Sequence, residues 1–355
     1  MSGADILCEK SGACGLITLN RPKALNALTP PMVREMTKAL QLWEEDKAVR
    51  SIVIRGGGGK AFCAGGDIRI LYELGKAGNY DEQRQFWRDE YPLNRRIKYY
   101  PKPYLALTHG IVMGGGAGLS VHGAAFIVDE DFSFAMPEAR IGLVPDIGAT
   151  HFLSRLPFHA GTYLGLTGNR INGADALALG LASAFAPSSR HASLLQKLID
   201  GAAFNDAIAA EQAKPPASPL MGQRDVLDYC FAPATLPDIL ARLDEESGKG
   251  SGFARSAARA IRANAPLSLA LILRQMQIGK SLSLDEALVR EYRLLVRLSQ
   301  NPDFYEGVRA LLIDKDNHPR WKPSDIEEIS EGMLDSYFAA LDEDELAFDG
   351  AGSHA

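Results

Sequence analysis

Short apolar runs bounded by Gly, Pro, Asn or Asp punctuate the first half of the chain: residues 15–20 (GLITLN), 51–56 (SIVIRG), 104–109 (YLALTH) and 124–129 (AAFIVD). Their length and β-branched content predict buried strands. Between the first two, residues 29–48 place Met32, Met36, Ala39, Leu40 and Trp43 at helical spacing, with Thr29 available as a cap and Pro30 suited to the first turn. Strand, helix and strand in that order imply parallel pairing through crossovers, hence an α/β core covered on both faces. Further helices are expected at 114–123, 160–166 and 173–180, with a turn at Asn172-Gly173 before the last.

After about residue 187 the strand pattern stops. A proline-interrupted polar stretch at 210–223 reads as a connector, and from about 235 onward the pattern is helical. The expected division is a core over 1–205 and a mainly helical region over 206–355. The 355-residue length is ample for both.

Composition excludes several classes. An apolar content of 46% with 23% charged residues is that of an ordinary globular protein rather than a disordered one. The net charge of −6 and scattered basic residues carry no nucleic-acid footprint. Cys8, Cys14, Cys63 and Cys230 form no CxxC pair and no zinc spacing, so reduced thiols and no metal are expected. No stretch offers about 18 uninterrupted apolar residues, and the N-terminal residues lack the basic-then-apolar pattern of an export signal. The expectation is a soluble chain without membrane partners, cytoplasmic, or of the mitochondrial matrix if processed from a eukaryotic precursor.

Three tempting motifs fail on chemistry. The GGGGK at 56–60 is followed by Ala61 where a phosphate loop needs Ser or Thr. GLSVHG at 118–123 has His122 where the nucleophile elbow G-x-S-x-G needs its last glycine, and Ser120 and His122 are two apart on an expected helix, where side chains diverge. Nothing near Cys63 lowers a thiol pKa. His109 and His122 read as core or supporting residues.

Two glycine-rich turns remain, AFCAGGD (61–67) and HGIVMGGGAGLS (109–120). A glycine run entering a helix leaves its first N–H groups unpaired, and two such turns can converge on one oxygen as an oxyanion site, aided by the helix expected to begin near Gly115. FAMPEARIGLVPDIGAT (134–150) adds Glu138 and Asp146. By themselves two acids can bind a metal, flank a sugar, divide labour on one substrate, or serve only as caps and ion-pair partners.

Taken in order, AFCAGGDI, HGIVMGGGAGLS and FAMPEARIGLVPDIGAT resemble the enoyl-CoA hydratase/isomerase (crotonase) superfamily, and GLITLNRPKALNALT resembles its first strand and turn. The resemblance spans about residues 12–323. It implies a crotonase-like spiral of ββα units with a helical C-terminal region, an acyl-CoA thioester as substrate with CoA part of it and no separate cofactor, and a possible homo-oligomer. Within the superfamily the chain resembles the thioester-hydrolysing branch. Gly118 stands where hydratases carry a second glutamate, Asp146 stands in a PD-hydrophobic-Gly motif, FWRDEYPLN (86–94) matches that branch's insertion, and EYRL (291–294) and residues 306–323 match its C-terminal signature. Ala149, where a second glycine is usual, departs from the pattern.

The resemblance implies roles residue by residue. Gly66 and Gly115 would offer the oxyanion amides, Glu138 would activate water or attack the thioester, and Asp146 would meet a 3-hydroxyl or orient the water, with Glu90 lining the same space. Lys23 would meet CoA phosphate, and backbone around Ala24, Ala64 and Asp67 the pantetheine and adenine.

Overall fold

The computed structural model describes residues 4–348, and the chain forms two compact units that interleave along the sequence. One comprises the chain through Asp67, Asp89–Ala135 and Arg170–Gly222; the other comprises Ile68–Arg88, Met136–Asn169 and the chain from Gln223. The partition therefore crosses the chain five times, not once near residue 205. The 210–223 stretch stays with the first unit, where Ser218 Oγ and Leu220 N–H both donate to Asp175 Oδ1, at 2.6 and 2.9 Å.

Among the described residues the first unit holds ten strands: β1 (Ile6–Ser11), β2 (Cys14–Leu19), β3 (Ser51–Gly56), β4 (Ala61–Cys63), β5 (Tyr104–Leu107), β6 (Ile111–Met113), β7 (Ala125–Val128), β8 (Ser133–Ala135), β9 (Ile171–Asn172) and β10 (Ala184–Phe185). They form a six-stranded sheet, β1-β2-β3-β5-β7-β10, and a four-stranded sheet, β4-β6-β8-β9. The pairs β3–β4, β5–β6 and β7–β8 each give one strand to each sheet, which is the repeated two-strand step of a ββα spiral. The four long runs expected from the sequence lie in the large sheet and pair in parallel from β2 through β10; only β1 and β9 run antiparallel to their neighbours.

Both faces of the large sheet are covered, so β2 is buried throughout and reads as a continuous apolar run. On one face Leu16, Val53, Leu105 and Ile127 pack with Leu194, Leu195 and Leu198 of the His191–Ile199 helix. The Pro30–Glu45 helix buries Met32, Val33, Met36, Leu40 and Trp43. Trp43 lies so close to Gly15 that a Cβ there would come within 2.6 Å of the indole.

Two local expectations need correction. Thr29 occupies the N-cap position but its side chain makes no capping bond, and the prolines at the first two helical positions remove the second N–H as a partner. The helix expected over 114–123 is a four-residue turn, Gly115–Gly118, followed by looser turns, since a run of three glycines is a poor helix former.

In the second unit, short turns over Met136–Asn169 are joined by long helices, among them Pro266–Gly279 and Leu284–Leu298. The latter starts from a capping box in which Ser283 and Glu286 bond reciprocally. Among the described residues no helix is long and apolar enough to cross a membrane.

Candidate active site

In the first unit, β4 and β6 lie side by side and each ends in a glycine turn. Gly65 has φ of 103° and Gly114 has φ of 47° with ψ of −124°, conformations open to glycine and costly for other residues. Leu28 pairs with Gly66 in an isolated parallel bridge, whose bonds run from Leu28 N–H to Gly65 O (2.8 Å) and from Asp67 N–H to Leu28 O (2.9 Å). That pattern leaves the N–H of Gly66 outside the ladder.

Gly115 opens a helical turn, so its N–H has no intrahelical acceptor. Among the described residues no acceptor takes either amide. A Cβ placed on Gly115 would lie 3.4 Å from Gly66 N, 2.4 Å from Glu90 Oε1 and 3.1 Å from Leu28 Cδ1. Both glycine turns and the Glu90 carboxylate therefore meet at one corner. Glu90 reaches it from the Tyr80–Lys98 helix and is 2% exposed. The corner depends little on a helix dipole, because the helix is only one turn long.

Around this corner, Arg21 donates to Ala27 O (2.6 Å) and, through both terminal nitrogens, to Asp67 Oδ2 (3.1 Å each). The Asp67 side chain thus braces the Gly66 turn. The N–H groups of Ala24, Ala64 and Asp67 are taken by Arg21 O, Leu25 O and Leu28 O, so none of these three amides is open. Lys23 is exposed beside them.

The rejected motifs have structural occupations. Burial pushes the Cys63 thiol up to about 12, and the thiol accepts from Gly65 N–H at 3.4 Å. His109 bonds Asp129 Oδ2 at 2.6 Å and Gly59 O at 3.0 Å. Ser120 Oγ donates back to Gly116 O and Ala117 O, and His122 is buried. Among the described residues no three His, Cys, Asp or Glu gather as metal ligands do.

The acids lie in the second unit. Glu138 begins a 3-10 turn, Glu138–Ile141, directly after Pro137, and that turn is tied down by Leu143 N–H on Glu138 O (3.0 Å) and Ala265 N–H on Ala139 O (3.1 Å). Its side chain is buried, and Oε2 has no hydrogen-bond partner. Burial first, and the charge of Asp146 second, push the Glu138 carboxyl up to about 8. A buried carboxyl with an uncommitted oxygen and a pKa near neutrality has the properties of a general base or nucleophile, and hydrogen-bond satisfaction, the ordinary reason for a buried acid, is absent on that oxygen.

Asp146 is equally buried and sits in the turn Pro145-Asp146-Ile147-Gly148 that leads into the Ala149–Leu153 helix. It does not cap that helix; Gly148 occupies the cap position.

Two further residues of this turn's surroundings were given no role from the sequence, although Glu291 opens the EYRL motif noted there. Glu291, wholly buried on the Leu284–Leu298 helix, accepts from Gly148 N–H (2.6 Å) and Thr150 N–H (2.7 Å). Burial raises its carboxyl to about 8 against the pull of those bonds. Gln275, wholly buried on the Pro266–Gly279 helix, donates to Pro145 O (3.1 Å) and Thr150 Oγ1 (2.8 Å). The available signal was a glutamate within the apolar stripe Leu284, Leu288, Tyr292 and Leu295 of an amphipathic helix.

The chain is similar to known proteins along almost its whole length. The family model described as Enoyl-CoA hydratase/isomerase matches residues 14–338. A Danio rerio protein named 3-hydroxyisobutyryl-CoA hydrolase, mitochondrial, is 44% identical, covering 97% of this chain and 92% of its own. The Homo sapiens protein of the same name is 42% identical, covering 97% and 91%. A crystal structure named a carnitinyl-CoA dehydratase from Mycobacterium thermoresistibile superposes with a TM-score of 0.92 at 40% identity, covering 98% of this chain and all of that one. Another, named an enoyl-CoA hydratase from Rhodobacter sphaeroides, gives 0.90 at 41%, covering 97% and 100%. By the extent of these matches, the chain belongs to the enoyl-CoA hydratase/isomerase family.

Proposed function

We propose that this chain is a thioester hydrolase that cleaves 3-hydroxyisobutyryl-CoA, and with it the smaller 3-hydroxypropionyl-CoA, releasing free CoA, a step of valine breakdown. The relatives named above as 3-hydroxyisobutyryl-CoA hydrolase support the substrate. The observation that carries the chemistry is Glu138: a buried carboxyl with an uncommitted oxygen and a raised pKa beside a second acid. The same reading places the protein in the cytoplasm, or in the mitochondrial matrix for a processed eukaryotic chain.

In this mechanism the amides of Gly66 and Gly115 hold the thioester oxygen as the carbonyl carbon becomes tetrahedral, the moment at which the oxygen gains charge. Glu138, ionised, takes a proton from water as the water oxygen bonds to that carbon. Collapse breaks the C–S bond, and the CoA thiolate leaves and takes up a proton. Direct attack by Glu138, giving an anhydride that water then opens, uses the same groups in the same protonation state. Asp146 accepts the hydrogen bond of the substrate's 3-hydroxyl, and Glu90 lines the space next to the Gly115 amide. Lys23 meets CoA phosphate, and carbonyls near Ala24, Ala64 and Asp67 meet the rest of the carrier. No cofactor enters these steps; CoA is part of the substrate.

The hydratase and dehydratase names of the two solved structures favour a second reading, water addition to an enoyl-CoA. Against it stands Gly118, buried in a turn made only of glycine and alanine, at the position where the family resemblance puts a hydratase's second glutamate. A free-thiol assay on 3-hydroxyisobutyryl-CoA, run beside the loss of conjugated absorbance of crotonyl-CoA, decides between them. Thiol release without hydration is expected; hydration without thiol release overturns the hydrolase.

Asp146→Asn is expected to lower kcat/KM for 3-hydroxyisobutyryl-CoA by about 10²-fold or more relative to isobutyryl-CoA, because a site built to bond a hydroxyl rejects the analogue lacking it. Equal losses on both substrates would remove Asp146 from hydroxyl recognition.

A further inference from the structure

The turn that carries Asp146 is strained. Ile147 is β-branched yet has φ of 56°, a left-handed conformation that costs such a residue on the order of 1–3 kcal/mol. Ala149 N–H donates to Asp146 O at 2.9 Å, and the cap residue of the following helix supplies no side-chain acceptor. Strain of this kind persists only where surrounding structure over-determines it.

Two buried side chains from two different helices are part of that surrounding structure. Glu291 grips the turn on its C-terminal side, one carboxylate oxygen on Gly148 N–H and the other on Thr150 N–H. Gln275 grips it on the N-terminal side at Pro145 O and returns to Thr150 Oγ1. Asp146 is therefore held at the residue before it and at the second residue after it. An acid wholly inside the protein is an expensive way to satisfy two amides, and a carboxylate that takes one amide on each oxygen adds geometric definition.

We propose that Glu291, assisted by Gln275, is a positioning residue that fixes where Asp146 presents its carboxylate and thereby sets the discrimination between 3-hydroxyacyl and plain acyl thioesters. This rests on the role given to Asp146 above. Glu291→Gln keeps the volume but turns an NH₂ toward one of the two N–H groups, so the grip on one side is lost and the turn relaxes. A shift of about 1 Å in a positioned group costs up to about 10²-fold in rate.

The test uses the full chain with two substrates, 3-hydroxyisobutyryl-CoA and isobutyryl-CoA, and reads the ratio of their kcat/KM values. Because both rates come from one preparation, loss of folded protein cancels. Glu291→Gln is expected to lower the ratio by about tenfold or more, and to lower it no further when combined with Asp146→Asn. Gln275→Leu, which removes the other grip, lowers it in the same direction and decides the matter if Glu291→Gln does not fold.

An unchanged ratio in Glu291→Gln, or in Gln275→Leu where only that variant folds, overturns the positioning role, provided Asp146→Asn lowers the ratio. Full multiplication of the Glu291→Gln and Asp146→Asn effects overturns it as well. If Asp146→Asn itself leaves the ratio unchanged, the hydroxyl-reading role of Asp146 falls, and this inference falls with it.

Discussion

Glu138→Gln is expected to reduce thiol release by about 10²- to 10⁴-fold, the contribution typical of a positioned acid–base group, with KM for the thioester changed far less. Glutamine keeps the shape and the burial but can neither take a proton from water nor attack the carbonyl. Retention of rate within a few-fold would remove Glu138 from the chemistry.

The same substitution has a signature in stability. The Glu138 carboxyl is pushed from 4.5 up to about 8 in the folded chain, first by burial and then by Asp146, so the folded state holds a proton that the unfolded state has released. Below 4.5 both states carry it and the group contributes no pH dependence. As pH rises from there to about 8 the folded chain loses stability, because the unfolded chain ionises freely in water while burial makes the folded chain hold its proton, and above about 8 the loss is complete. Glu138→Gln should thus melt at the parent's temperature near pH 4 and above it near pH 9.

Activity runs the other way. The ionised form is the reactive one, so parental kcat/KM should climb with pH and level off above about 8, and the variant's residual rate should lack that limb. A parental profile flat from pH 6 to 9 would contradict the role.

Gly115→Ala is expected to have the other large effect. The new methyl would stand 2.4 Å from Glu90 Oε1, 3.1 Å from Leu28 Cδ1 and 3.4 Å from Gly66 N, so either the carboxylate or the turn must move, and one oxyanion donor moves with it. Losing such a donor costs about 10²- to 10³-fold in kcat. The loss should fall on kcat more than on KM, since the amide bonds are strongest in the transition state. Gly222→Ala, where a Cβ meets nothing within 4 Å, is the matching control and should hydrolyse at the parental rate. Equal activity of the two variants would show that the Gly115 amide is no part of the machinery.

Much of the large sheet was legible because each of its central strands is buried on both faces, and such strands print as uninterrupted apolar runs: the four expected segments became β2, β3, β5 and β7. The three-residue strands of the second sheet were hidden. Ala61–Cys63, Ile111–Met113 and Ser133–Ala135 are too short for an alternation to register, and they are strands only because parallel neighbours complete their bonds. The helix expected at 114–123 failed for a local reason, its glycines, although those glycines are what let Gly66, Gly115 and Glu90 meet.

The chemistry divides in the same way. Residue type and order, two glycine turns followed by Glu138 and Asp146, were determined by the sequence, because backbone amides without Cβ and carboxyl groups are the materials an acyl transfer needs, and they occur in the family's order. What only the tertiary structure decided is the state of those groups. Glu138 has a pKa near 8 because the fold buries it beside Asp146, Asp67 is a brace because Arg21 closes on it, and Asp146 is held by Glu291 and Gln275 from well over a hundred residues away in the chain. Burial, charge proximity and the strain at Ile147 are sums over neighbours, and neighbours brought together from distant parts of a chain leave no periodic trace along it.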